Sequence, residues 1–140
     1  MYRLKFMALP LSQAQRATNP VRVLVVDDSA FMRKSLTTML EEGKQIHVVG
    51  VARNGEEAIQ QVQQLKPDVV TMDVEMPGMT GLQALQQIMS KFPVPVIMVS
   101  SITVEGAQET LQALEWGAVD FVPKQLDVGV SKIADILHHL

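Results

Sequence analysis

Short apolar runs rich in β-branched residues recur along the chain, and each stops on a polar or charged residue. Val21-Arg22-Val23-Leu24-Val25-Val26 stops at Asp27-Asp28, and Asp68-Val69-Val70-Thr71-Met72 stops at Asp73. Val94-Pro95-Val96-Ile97-Met98-Val99 ends in Ser100-Ser101, while Ala118-Val119-Asp120-Phe121-Val122 runs through Pro123 into Lys124. Runs of this length, bounded by turn residues, read as buried strands. Ile46 to Val51 is a further strand, in which a lone His47 reads as a partly exposed structural residue.

Between the strands the apolar period changes to that of a helix. Met32, Leu36, Met39 and Leu40 form one face behind Ser29, a good N-cap, and Gly43 takes the C′ position. Asn54-Gly55-Glu56-Glu57 resembles a capping box, opening a helix with Ala58, Ile59, Val62 and Leu65 inward and glutamines outward. Gly81 leads a helix with Leu82, Leu85, Ile88 and Met89 on one side. Thr103 caps one whose apolar residues are Val104, Ala107, Leu111 and Leu114, closed by Gly117. Ile133, Ile136, Leu137 and Leu140 mark a last short helix. Strands alternating with helices over short connections predict an α/β fold. The expected form is a flavodoxin-like doubly wound (βα)5 with a parallel five-stranded sheet in the order 2-1-3-4-5.

In such a sheet, ligands bind at the carboxyl ends of the strands. The pattern therefore brings Asp27, Asp28 and Asp73, the Ser100-Ser101 hydroxyls and the Lys124 ammonium to one edge. Two carboxylates ~4 Å apart repel by about 4 kcal/mol at an effective dielectric of 20. Three cannot all stay ionised there without a cation. Hard anionic oxygen ligands suit Mg²⁺, which keeps several waters and often a phosphate oxygen. The constellation asks for a metal and a phosphoryl group.

Composition narrows the rest. A chain of 140 residues with 47% hydrophobic and 19% charged residues is ordinary for one soluble domain. Aromatics make up only 4%, so aliphatic residues and nine methionines must fill the core. A net charge of −3 and the absence of a basic run argue against nucleic acid as a partner. With no cysteine there is no disulfide framework, thiol nucleophile or zinc-thiolate site. No stretch approaches the ~20 apolar residues of a membrane span, and a reducing cytoplasm fits. Residues 1–20 mix basic, apolar and polar positions broken by Pro10, and read as a flexible N-terminal extension rather than a signal peptide. Residues 21–140 are the domain.

The acidic pair, Asp73, Ser100 and Lys124 at strand ends resemble the receiver domain of two-component response regulators. Asp73-Val74-Glu75-Met76-Pro77, Val99-Ser100-Ser101-Ile102-Thr103 and Gly117-Ala118-Val119-Asp120-Phe121-Val122-Pro123-Lys124 resemble more narrowly the receiver half of the chemotaxis protein-glutamate methylesterase. The resemblance spans roughly Arg22 to Lys124. It implies that Asp73 accepts a phosphoryl group from a sensor histidine kinase, forming an acyl phosphate. It also implies Mg²⁺ held by Asp28, Asp73 and the backbone carbonyl of Glu75, with Asp27 acting mainly through water. Lys124 would hold a phosphoryl oxygen, and Ser100 would hydrogen-bond to the phosphoryl group once present. Phe121, where receivers often carry tyrosine, would turn into the space Ser100 leaves and report by packing. The implied partners are the kinase and a methylesterase domain, with chemoreceptors reached through that domain.

Two positions depart from the pattern. Receivers commonly have Lys-Pro with a cis bond at the site lysine, but Gln125 follows Lys124 here. A cis bond before a non-proline costs roughly 3 kcal/mol, which favours trans. Thr80 replaces the usual aspartate, a change expected to alter only a helix cap. No Gly-x-Ser-x-Gly elbow or other serine-hydrolase arrangement is present, so the expectation is a regulatory domain or a stand-alone receiver. An aspartate-dependent phosphatase of the haloacid-dehalogenase type would need Asp-x-Asp, where Glu75 stands second.

Overall fold

The computed structural model describes residues 19–101, 106–124 and 126–138. Five strands alternate with five helices: β1 (Val21–Val26), α1 (Ala30–Glu41), β2 (Ile46–Ala52), α2 (Gly55–Leu65), β3 (Val69–Asp73), α3 (Gly81–Lys91), β4 (Val96–Ser100), α4 (Gly106–Glu115), β5 (Asp120–Pro123) and α5 (Leu126–His138). All pairings are parallel, in the order β2-β1-β3-β4-β5. This is the flavodoxin-like order that the sequence predicts. The N-terminal extension lies outside the described residues, apart from Asn19 and Pro20, which are exposed.

Both sheet faces are covered, and side-chain alternation divides the core into two. Val23, Val25, Val69, Ile97, Val99 and Val122 face Leu36 and Leu40 of α1 and Ile133 and Leu137 of α5. Leu24, Val26, Val70, Met72, Met98 and Phe121 face the apolar sides of α2, α3 and α4. The three inner strands therefore carry apolar residues on both faces, which explains why they appear as near-continuous runs rather than alternating ones. Arg22 ties the opposite end of the sheet to α2, its guanidinium donating to the carbonyls of Leu65 and Lys66 at 2.7 Å each.

Local chemistry departs from expectation at three helices. α1 ends at Glu41, but the left-handed residue is Lys44, with φ 60°, and not Gly43. At α2, Asn54 accepts from the Glu57 N–H as expected. The Glu57 side chain, however, reaches past the cap to the Arg53 N–H and guanidinium, so the box is not closed on Asn54. Among the described side chains of α4 the buried one is Ala113, while Leu111 and Leu114 stand 67% and 43% exposed. A small side chain lets that helix sit close on the sheet and turns the leucines outward. The Thr103 cap lies outside the described residues. Thr80, by contrast, closes a full capping box with Gln83.

Thr71 in β3 is buried between Val25 and Ile97, and its hydroxyl has no hydrogen-bond partner among the described residues. An unmade buried hydrogen bond costs about 1–3 kcal/mol. The near-isosteric Thr71→Val is therefore expected to stabilise the domain by about 1 kcal/mol, read as a raised urea midpoint at unchanged slope. A lowered midpoint would show that the hydroxyl is satisfied.

Candidate functional site: an acidic cluster bridged by a lysine

The site forms where β1, β3, β4 and β5 end. Asp27 continues the register of Val23 and Val25, Asp73 that of Val69 and Thr71, and Lys124 that of Val122. Alternation thus sends these three side chains toward the α1–α5 side of the sheet. The Lys124 ammonium lies 3.1 Å from Asp73 Oδ2 and 3.2 Å from Asp27 Oδ2, bridging two carboxylates that are almost wholly buried. Asp28, two residues beyond the strand, is exposed beside them.

Each carboxylate is also held by backbone. Asp27 Oδ1 accepts the Ser29 N–H at 2.8 Å, and its carbonyl accepts the Arg33 guanidinium at 2.9 Å. Asp73 Oδ1 faces the Glu75 N–H at 3.4 Å, so the loop after β3 folds back over the carboxylate. Burial and then the negative charge of Asp27 push the Asp73 carboxyl up to about 6, against the pull of Lys124 and the Glu75 N–H. For Lys124, burial opposes the charge, but Asp73 and then Asp27 outweigh it and hold the ammonium above its ordinary 10.5.

One carboxylate oxygen from each of Asp27, Asp28 and Asp73 lies within 4.8 Å of the others. A set made only of hard anionic oxygens, partly open to solvent through Asp28, fits a hydrated divalent cation and not a soft metal.

Ser100 and Phe121 belong to the other face. Ser100 follows Met98 by two residues, and Met98 is the register partner of Phe121, so both side chains share the α2–α4 side. Both are 7% exposed. The Ser100 carbonyl accepts the Lys124 N–H at 2.8 Å, which ties the serine's strand end to the lysine's. Gln125 lies outside the described residues, and so does its bond to Lys124. Asp27, Asp28, Asp73, Ser100 and Lys124 thus stand at one edge, while Phe121 lies deeper, level with Met98 in the core. Glu75 enters through its backbone N–H, its side chain being exposed. Sequence reasoning missed Arg33 and Ser29 as supports of Asp27. Their signal was spacing, since both lie within the first turn that follows the acidic pair.

The response regulator receiver domain family matches residues 23–134. The chain belongs to that family. Within it, the similarity runs to the CheB type. A protein-glutamate methylesterase/protein-glutamine glutaminase of Oleidesulfovibrio alaskensis is 62% identical over 106 residues, covering 76% of this chain and 29% of that relative. The response regulator domain of Thermotoga maritima CheB is 44% identical with a TM-score of 0.80, over 86% of this chain and 96% of that one. A chain of a CheX-CheY-BeF3-Mg²⁺ complex from Borrelia burgdorferi is 33% identical with a TM-score of 0.75, over 86% and 88% of the two chains. The chain spans about a third of the length of the curated methylesterase relatives it matches.

Proposed function

We propose that this chain is the phosphate-accepting switch of a chemotaxis methylesterase, charged on Asp73 by a sensor histidine kinase. The observation that carries the reading is the Lys124 ammonium held between Asp73 and Asp27, with Asp28 completing an oxygen-only cluster. In this reading the Asp73 carboxylate attacks the phosphorus of a phosphohistidine in line, the histidine leaves, and an acyl phosphate remains on Asp73. Asp28, Asp73 and the Glu75 carbonyl would hold Mg²⁺, with Asp27 acting through bound water. Such an ion would offset charge on the phosphoryl oxygens. A Mg²⁺ site also accords with the BeF3 and Mg²⁺ named for the Borrelia complex. Lys124 moves from carboxylate to phosphoryl oxygen without leaving the edge.

Ser100 can hydrogen-bond to the phosphoryl group only after transfer. That difference between states is what shifts a conformational equilibrium. Its movement frees space on the face it shares with Phe121, and the ring follows by packing. The output surface is formed by β4, α4, β5 and α5. Leu111, Leu114 and Val119 are exposed there, as expected of a face that another domain covers. The partner is the methylesterase domain, with chemoreceptors reached through it. No helix among the described residues is long and apolar enough to cross a membrane, and the setting proposed is the cytoplasm.

Acetyl phosphate with Mg²⁺ is expected to add one hydroxylamine-labile phosphoryl group and to change amide exchange mainly between Ser100 and Gln125, with α2 nearly untouched. Ser100→Ala is expected to accept the group and lose most of that response. Equal changes throughout the domain, or a wild-type response from Ser100→Ala, would sink the coupling.

A further inference from the structure

The loop from Val74 to Thr80 carries the only backbone group that reaches the Asp73 carboxylate among the described contacts, the Glu75 N–H. Its position is set from two sides by residues without side chains. At its end, the Gly81 N–H donates to the Val74 carbonyl at 2.8 Å, closing the loop on itself. A Cβ built on Gly81 would collide with the Asp73 carbonyl oxygen, and would stand 2.8 Å from the Asp73 carbonyl carbon and 2.9 Å from Val74 Cα. Those neighbours are backbone and cannot swing aside. On the outer side, Met79 packs into the notch left by Gly55, where a Cβ would meet its Sδ at 2.8 Å and its Cγ at 3.0 Å.

We infer that Gly81 is a positioning residue for the acceptor aspartate: bare of a side chain, it lets the first turn of α3 rest on the Asp73 backbone and fixes where the carboxylate and the Glu75 backbone stand. The Met79–Gly55 contact holds the same loop from the α2 side. This inference rests on the phosphate-accepting reading of Asp73. Thr80 and Gln83 end the loop with a capping box, so α3 cannot absorb an added methyl group by fraying its first turn without losing both cap bonds. The displacement must then fall on the Asp73–Glu75 segment. A shift of about 1 Å at a reacting group costs on the order of 100-fold in rate.

The test compares Gly81→Ala, Gly55→Ala and, as control, Gly43→Ala, where an added Cβ meets nothing within 4 Å. Three quantities are read on folded protein: the acetyl phosphate labelling rate, the Mg²⁺ midpoint, and the Glu75 amide chemical shift. In Gly81→Ala the expected result is labelling slowed about 10- to 100-fold, a raised Mg²⁺ midpoint and a displaced Glu75 amide. Gly55→Ala should follow in the same direction by less, because Met79 is flexible, and Gly43→Ala should match wild type. A wild-type labelling rate with an unmoved Glu75 amide in Gly81→Ala would overturn the inference. Should Gly81→Ala fail to fold, unchanged values in Gly55→Ala would do the same. If the wild type itself takes no label on Asp73, the acceptor reading fails instead, while the Glu75 amide and the Mg²⁺ midpoint still decide the positioning role.

Discussion

In Asp73→Asn the labelling by acetyl phosphate falls by ~10³-fold or more, and the metal-free domain becomes more stable than wild type at neutral pH. The two outcomes share a cause. An amide has no anionic oxygen with which to attack phosphorus. It also carries no charge for the buried edge to tolerate. Asp73 has an ordinary value of 3.8 and is raised to about 6, first by burial and then by Asp27. A carboxyl whose folded value is raised is favoured in its protonated form, so the domain loses stability as pH climbs from about 4 through about 6. The full shift would correspond to about 3 kcal/mol, and solvent at the open edge reduces this to the order of 1–2 kcal/mol. Asp73→Asn should therefore be about that much more stable at pH 7, with a flatter stability–pH profile below it. Urea titrations from pH 4 to 8 without metal measure this, and a variant less stable than wild type at every pH would contradict it.

Removing the lysine has the opposite sign. Lys124→Ala leaves Asp73 and Asp27 facing each other across the place where the ammonium stood. Breaking a buried ion pair costs 3–5 kcal/mol in closed interiors; Lys124 keeps some contact with solvent, which lowers the expectation to about 2–3 kcal/mol at pH 8. The lysine's own titration does not shape this window, because a raised ammonium contributes fully below its ordinary value of 10.5 and is lost only above its folded one. The pH dependence comes from the Asp73 carboxylate, which binds a proton more readily without the lysine. The deficit should shrink toward pH 5, and millimolar Mg²⁺ should restore part of it at pH 8. In the double variant with Asp73→Asn, the cost of losing Lys124 should fall well below its value alone. A deficit of the same size at pH 5 and pH 8 would mean that the lysine acts through packing of its stem.

Strand ends were the most legible feature of the chain. Five apolar runs gave the sheet, and the four that stop at Asp27, Asp73, Ser100 and Lys124 gave the edge at which these residues meet. Parity along those runs also tells which side chains share a face. Val23, Val25 and Asp27, or Met98 and Ser100, alternate in step with the packing observed. What escaped was three-dimensional choice among equivalent local options. Lys44 rather than Gly43 takes the left-handed turn, Glu57 prefers the Arg53 N–H and guanidinium to the Asn54 N–H, and α4 buries Ala113 while its leucines face water. Propensity ranks such options only weakly, and the energies separating them are a fraction of a kcal/mol to about 1 kcal/mol. The role of Gly81 was hidden for a different reason. A glycine before an amphipathic helix looks like punctuation until the atoms it touches are known.

The bond between Lys124 and Asp73 spans 51 positions of the chain. On a ribosome the segments emerge in order, so the acidic strand ends are made well before the cation that reconciles them. Until β5 is released, a partly made sheet that brings Asp27 and Asp73 together carries their mutual repulsion unrelieved. Docking of the last strand is then rewarded by charge as well as by burial of Phe121 and Val122. If Asp73 is the acceptor proposed above, it becomes competent only once β5 has docked, so a half-synthesised chain would offer a kinase no finished target.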